Sequence, residues 1–217
     1  MQILGYLSYL LFIVCIVAMV LKYSQLLISN KIIGWIIVLS VVSEIIGYVC
    51  AKYYHYNLFL SHIFSPIECI LFMVAYGIEL RIPKANIIVY VSIVIILSAI
   101  NSIFIQPITS TFDSFFIAFE ALILTLFSFA FFYRLLQETE LHPLYTYSFF
   151  WISIGWLFYG TGSLLFLGML NSDIKFQGGK AFGVLKLLKY FFNVLLYLCI
   201  LLSFIFHRQH LKSKTVD

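Results

Sequence analysis

Three glutamates, Glu44, Glu68 and Glu120, stand in stretches of sequence that are otherwise almost wholly apolar. An isolated carboxylate in hydrocarbon costs roughly 3 kcal/mol or more, so each must turn inward and be either protonated or paired. The basic groups at matching positions are His62, Lys186 and Lys189, and the amides Asn101 and Asn193 and the phenol Tyr190 stand nearby. Helical spacing gathers them. Lys186, Tyr190, Asn193 and Tyr197 recur at i, i+4, i+7 and i+11, one face of a helix, with Lys189 bordering it. Ser61, Ser65, Glu68 and Phe72 share another face, and Ser40, Glu44, Gly47 and Tyr48 cluster on a third. Asp113, Glu120 and Ser128 fall on one side of a fourth. At ~1.5 Å of rise per residue, these groups sit at the midplane or in one half of a membrane. Glu44, Glu68, His62, Asn101, Glu120, Lys189, Tyr190 and Asn193 are thus the candidate ligand-binding residues.

Sharper chemistries lack parts. A zinc hydrolase wants about three His or carboxylate ligands plus a water; His62, Glu68 and Glu44 offer three, but His142, His207 and His210 belong to the opposite side. The run Gly160-Thr161-Gly162-Ser163 is faintly like a serine loop, yet it lies inside an apolar span with no histidine placed for it. Lys189 with Glu68 imitates a retinal site only if its helix starts well before Val184. The expectation is no catalytic residue, no metal set and no cofactor.

The elements that must carry these groups are membrane helices. Apolar residues make up 63% of the 217-residue chain, charged residues 10%, and the mean hydropathy is +1.06. A soluble domain has about 45–50% apolar and about 25% charged residues. A span needs roughly 20 apolar residues, and its backbone must be satisfied within the segment, hence helical. Seven such spans are read at about 3–23, 32–50, 58–78, 87–105, 112–133, 147–170 and 184–206. The expected fold is an all-α membrane protein, a seven-transmembrane-helix bundle, in one domain over 1–206 with a short basic tail at 207–217. No basic residue precedes the first span and no small-x-small cleavage site follows it before Lys22, so it reads as an anchor.

Loop charge orients the bundle. Lys22, Lys31, Arg81, Lys84, Arg134, Arg208, Lys212 and Lys214 fall at one end; Lys52, Lys175, Lys180, Lys186 and Lys189 fall at the other. The excess marks the first set as cytoplasmic, with the N-terminus outside, the C-terminus cytoplasmic, and the inner (cytoplasmic) membrane as the location. Net charge +4 reflects that flank, which favours anionic lipid heads and is no nucleic-acid footprint. Of Cys15, Cys50, Cys69 and Cys199, only Cys50 lies near the outer surface, so no disulfide is expected. Tyr53, Tyr54, Tyr56, Tyr145 and Tyr147 read as an interfacial belt. Pro66, inside the third span two residues before Glu68, is expected to kink that helix and free a carbonyl.

Two stretches carry a resemblance: Phe112-Asp113-Ser114-Phe115-Phe116-Ile117-Ala118-Phe119-Glu120, and Phe149-Phe150-Trp151-Ile152 followed by Gly155 and Tyr159-Gly160-Thr161-Gly162-Ser163. With Asn57 ahead of Glu68, they resemble an uncharacterised family of small bacterial seven-helix integral membrane proteins, over roughly residues 40–200. Its members are often encoded beside sensor histidine kinases, so the resemblance implies signalling. It carries no activity, ligand or site residue. Because the chain shows no kinase or other cytoplasmic output module, a sensory or accessory subunit would act through a partner such as a membrane histidine kinase. Its outer pocket would take a small molecule or lipid. The alternative is a small-molecule or proton-coupled transporter in which Glu68 and Glu120 titrate, and a membrane-embedded hydrolase is the weaker third reading. A transporter should continue its polar groups towards the inner side, where only Ser128 and Thr125 interrupt the apolar run of the fifth span.

The charge bias makes a direct prediction. A reporter fused to the C-terminus is expected to be active only in the cytoplasm; activity only on the far side of the membrane contradicts the assigned orientation.

Overall fold

The computed structural model describes residues 2–137, 144–171 and 179–206. Seven helices carry them: α1 Gln2–Lys22, α2 Ile28–Tyr54, α3 Phe59–Glu79, α4 Lys84–Ile100, α5 Ser114–Gln137, α6 Ser148–Asn171 and α7 Gly179–Ile205. Each is long and apolar enough to cross a membrane. A π-helical turn, Asn101–Ile105, extends α4, and a 3-10 turn, Leu144–Thr146, leads into α6. α2 and α7 overrun the apolar windows read from sequence, α2 most of all, because intrahelical hydrogen bonding does not stop where hydrocarbon does. The left-handed residues His55 and Arg81 close α2 and α3. α3 runs unbroken through Pro66.

Six of the helices form a closed ring: α1 packs on α2, α2 on α3, α3 on α5, α5 on α6, α6 on α7, and α7 back on α1. α4 stands outside the ring, against α3. All the turns alternate, so the start of α1, the α2–α3 turn, the α4–α5 connection and the start of α7 share one end, called here the N-terminal end.

Glycines on α6 let both neighbouring helices come close, as the small-residue heptad of Ser148, Gly155 and Gly162 predicts. A Cβ on Gly155 would lie 2.9 Å from the Cβ of Cys199, and one on Gly162 would overlap the Phe192 ring, both on α7. Gly160 serves the other flank, where a Cβ would come 2.6 Å from Thr125 Oγ1 and 2.9 Å from the Ala121 carbonyl oxygen on α5.

The half of the ring remote from the N-terminal end is filled. Phe72 meets Trp156 edge-on at 4.1 Å between centroids, and Tyr76 meets Phe149 edge-on at 4.9 Å. Ile33, Ile152 and Phe204 are wholly buried around them. The Tyr76 hydroxyl lies 2.8 Å from Ser128 Oγ and donates to Ser153 Oγ at 3.3 Å, tying α3, α5 and α6 in this layer. Farther down, Ser29 donates to the Glu79 carboxylate and Arg134 Nη1 donates to the Glu79 carbonyl at 2.8 Å, joining α2, α3 and α5.

Overpacking at a rigid contact costs about 1–3 kcal/mol. Gly160→Ala is therefore expected to destabilise the purified protein by about that amount, since backbone cannot swing aside as a side chain can. Gly168→Ala, where a Cβ meets nothing within 4 Å, is expected to be neutral or better. Thermal melts of the two variants side by side check this; equal melting temperatures would contradict the α5–α6 packing.

Candidate functional site

The other half of the ring is hollow. A cavity of about 1180 Å³ lies between α1, α2, α3, α5, α6 and α7. On α2 it runs from Ile36 to Ala51, on α3 from Leu60 to Glu68, on α5 from Ile117 to Leu124, and on α7 from Lys189 to Ile200. On α3 and α5 these stretches belong to the half of the helix nearer the N-terminal end; on α2 and α7 they continue past the middle, to Ile36 and Ile200. Ile36, Leu124, Trp156, Leu196 and Ile200, buried residues of the apolar core, form the floor. The cavity is therefore blind.

Its polar groups are those the helical spacing placed on facing stripes. Glu44, Glu68, Glu120, Asn193, Lys189 and Tyr190 all line it, with Ser40, Ser61, Ser65, Tyr159 and Tyr197. Ser40 Oγ donates to Glu68 Oε1 at 2.6 Å, bonding α2 to α3. Ser65 donates to Glu120 Oε2, bonding α3 to α5. Both hydroxyls are available because each serine sits one turn from a carboxylate-bearing level and faces the ring interior. Glu44 and Lys189 act on each other electrostatically across the cavity, Glu68 feels Glu44, and Glu120 feels Glu68. Lys189 lies over the Phe166 ring, 5.7 Å from its centroid.

Exposure separates the three. Glu120 is 8% exposed and Glu68 half-buried, whereas Glu44 is exposed, although it lines the same cavity. The side chain of Lys186 lies outside the described residues. Tyr159 completes the set on α6 between the two glycine contacts. Trp156, at the floor, has a buried indole N–H without an acceptor.

His62 and Asn101 do not line the cavity. They belong to a second, compact network at the N-terminal end, outside the ring between α3, the π-helical turn and the start of α5. His62 is 5% exposed. Its Nε2 lies 3.0 Å from the Thr111 carbonyl, which can only accept, so Nε2 carries a proton. Its Nδ1 lies 2.9 Å from Ser102 Oγ and 3.7 Å from Asp113 Oδ2. Asn101 Nδ2 donates to Asp113 Oδ1 at 2.5 Å, and Gln106 Nε2 donates to Ser114 Oγ at 2.8 Å.

This network does structural work that the sequence stripes did not announce. Asp113 precedes α5 as its N-cap and accepts from the Phe116 N–H, while Gln106 Oε1 accepts from the Phe115 N–H at 2.9 Å. Two orphan donors of the helix start are satisfied by side chains. The sequence signal was an Asp directly ahead of an apolar run; Gln106 had none, because it arrives through a non-helical connection. Among the described residues no group of three His, Cys, Asp or Glu is placed to hold a metal ion. All four cysteines carry free thiols.

No family model, curated protein or solved structure matches this chain.

Burial holds the Asp113 carboxyl above its ordinary value of 3.8, against the opposing pull of His62, the Phe116 N–H and the Asn101 amide. A carboxyl raised in the fold favours folding while protonated. That contribution is complete below the unfolded value and is lost as pH rises through the raised folded value. Relative to Asp113→Asn, the wild type is therefore expected to lose melting temperature as pH climbs from 3.8 towards neutrality. Parallel curves for the two proteins would show that Asp113 is not held this way.

Proposed function

We propose that this chain is a sensory or accessory signalling subunit of a bacterial inner membrane. It takes a small ligand or lipid in a pocket open to the outside and passes the change to a partner protein. The observation that carries the reading is the blind polar cavity. It is large enough for a small molecule, since such sites span about 300–1,000 Å³, and it combines three carboxyls and an ammonium with aromatic walls. The loop-charge bias supports placing its mouth outside. The resemblance to seven-helix proteins encoded beside histidine kinases supports a signalling role and makes a kinase a natural partner.

The floor speaks against a carrier. A transporter needs a path beyond the floor, whereas here the far half is closed by Phe72, Trp156, Tyr76 and Phe149, and its polar groups, Tyr76 with Ser128 and Ser153 and Ser29 with Glu79, bond to one another across helices and do not line the cavity. Signalling requires only that ligand favour one of two packings. The contacts most able to shift are the α6–α7 glycine faces, where side chains of α7 slide over Gly155 and Gly162, and α3 above Pro66, whose missing N–H loosens the helix beside Glu68.

Glu68→Gln keeps shape and the Ser40 bond but removes the charge. It is expected to melt within about 1 kcal/mol of wild type and to alter host gene expression as deletion of the protein does. Glu68→Ala, which leaves Ser40 only the Ile36 carbonyl, is expected to lose about 0.5–1.5 kcal/mol as well. If Glu68→Gln is silent in expression and instead abolishes proton flux in proteoliposomes, the protein is a carrier and the signalling reading fails.

A further inference from the structure

The cavity has a side opening at membrane depth. α1 and α2 meet closely near their shared turn, where Met19 covers Gly34 so tightly that a Cβ there would lie 2.7 Å from Met19 Cγ. Towards the N-terminal end they lean apart. The upper part of α1 rests on α7: Gly5 faces the Tyr190 ring, Phe12 meets Tyr197 at a 50° tilt with 5.0 Å between centroids, and Cys15 Sγ donates to the Tyr197 carbonyl at 3.2 Å. The upper part of α2 rests on α3: Ser40 binds Glu68, Gly47 faces Leu60, and Asn57 Nδ2 donates to the Gly47 carbonyl at 3.4 Å. Between them, residues that line the cavity are also among the exposed ones. Tyr9 is 53% and Ile13 60% exposed on α1, and Ile45 59% and Tyr48 68% on α2, with exposed Glu44 among them. Ile13 is eleven residues into α1 and Glu44 ten residues below the end of α2, so the gap faces bilayer, not the aqueous end.

The chemistry inside favours a cation. Three carboxyls oppose the one ammonium of Lys189. Glu68 and Glu120 each accept one serine hydroxyl, whereas a carboxylate has about four acceptor positions. Tyr159 and Tyr197 line the same cavity, and ammonium groups bind to carboxylates and aromatic faces. The rim, by contrast, is Ile13 and Ile45, suited to a hydrocarbon chain.

Building on the ligand-pocket reading, we infer that the pocket takes an amphiphile bearing a protonated amine, which enters sideways from the bilayer between α1 and α2. The ammonium sits among Glu44, Glu68 and Glu120, and the chain trails out past Ile13 and Ile45. A primary-amine lipid head and a single-chain amine share this chemistry.

The test uses the purified full chain in a non-ionic detergent, with dodecylammonium, ethylammonium, dodecanol and dodecanoate as probes in thermal melts. Dodecylammonium is expected to raise the melting temperature, and the other three to do so weakly or not at all. Glu68→Gln should weaken dodecylammonium at least tenfold. Ile45→Trp, a change on the lipid-facing rim that spares the core, should weaken dodecylammonium severalfold and leave ethylammonium unchanged. Native mass spectrometry then separates the sources: retention of phosphatidylethanolamine over phosphatidylglycerol marks a two-chain lipid, and retention of dodecylammonium alone marks a single-chain amine. Equal stabilisation by ethylammonium overturns the sideways amphiphile and leaves a ligand pocket for soluble amines. Preference for dodecanoate overturns the cation. If no probe binds, the inference falls, and the pocket reading rests separately on the expression phenotype of Glu68→Gln.

Discussion

The constraint on which this structure turns is the placing of three carboxyl groups within the width of a bilayer. Hydrocarbon cannot solvate them, and they stand too close together to be indifferent to one another. The fold answers with a ring. By closing six helices on themselves and leaving α4 outside, it turns one polar stripe from each of α2, α3, α5 and α7 towards a shared interior. Serines on neighbouring helices supply hydrogen bonds where lipid could not. These same bonds, Ser40 to Glu68 and Ser65 to Glu120, join α2 to α3 and α3 to α5 at the level of the cavity. Site and scaffold are thus the same interactions.

The bundle is unequal end to end. One half is packed with aromatic rings and sealed by the Tyr76 hydroxyl between two serines; the other is hollow. Rigid packing in one half gives the hollow half a base against which helices can tilt. α1 illustrates the division, since it is clamped to α2 at Met19 and Gly34 and leans on α7 above. A molecule lodged in the gap would change the α1–α2 angle about that clamp, and the α1–α2 turn lies at the end assigned to the cytoplasm.

Much of this was legible in the sequence because membrane helices obey two simple periodicities. Apolar run length gives the seven spans, and i, i+3, i+7 spacing gives Tyr190, Asn193 and Tyr197 as one cavity wall. Glu44, Glu68 and Glu120 follow from the cost of charge in lipid. What stayed hidden depends on which helices are neighbours, and hydropathy does not encode that. Nothing in the composition of α4 marks it as the helix left outside the ring. His62 and Asn101 share the depth of the glutamates, but depth is not azimuth, and both turn towards Asp113. The bond from Gln106 to the start of α5 needs the π-helical turn at Asn101–Ile105, an irregularity without a periodic signature. The α1–α2 gap was equally invisible, since Ile13 and Ile45 look like any lipid-facing residues.

The central claim is that the carboxyls line a cavity open from the N-terminal half and blind below. Single cysteines in a background without native cysteines test it most directly, using a membrane-impermeant cationic thiol reagent applied from each side. Ser43→Cys and Ser61→Cys, on the cavity wall, are expected to react from the N-terminal side alone. Ala75→Cys, buried beneath the floor, is expected to react from neither. Modification of Ala75→Cys from either side, or of the wall positions from the opposite side, would show a path through the bundle and contradict the account.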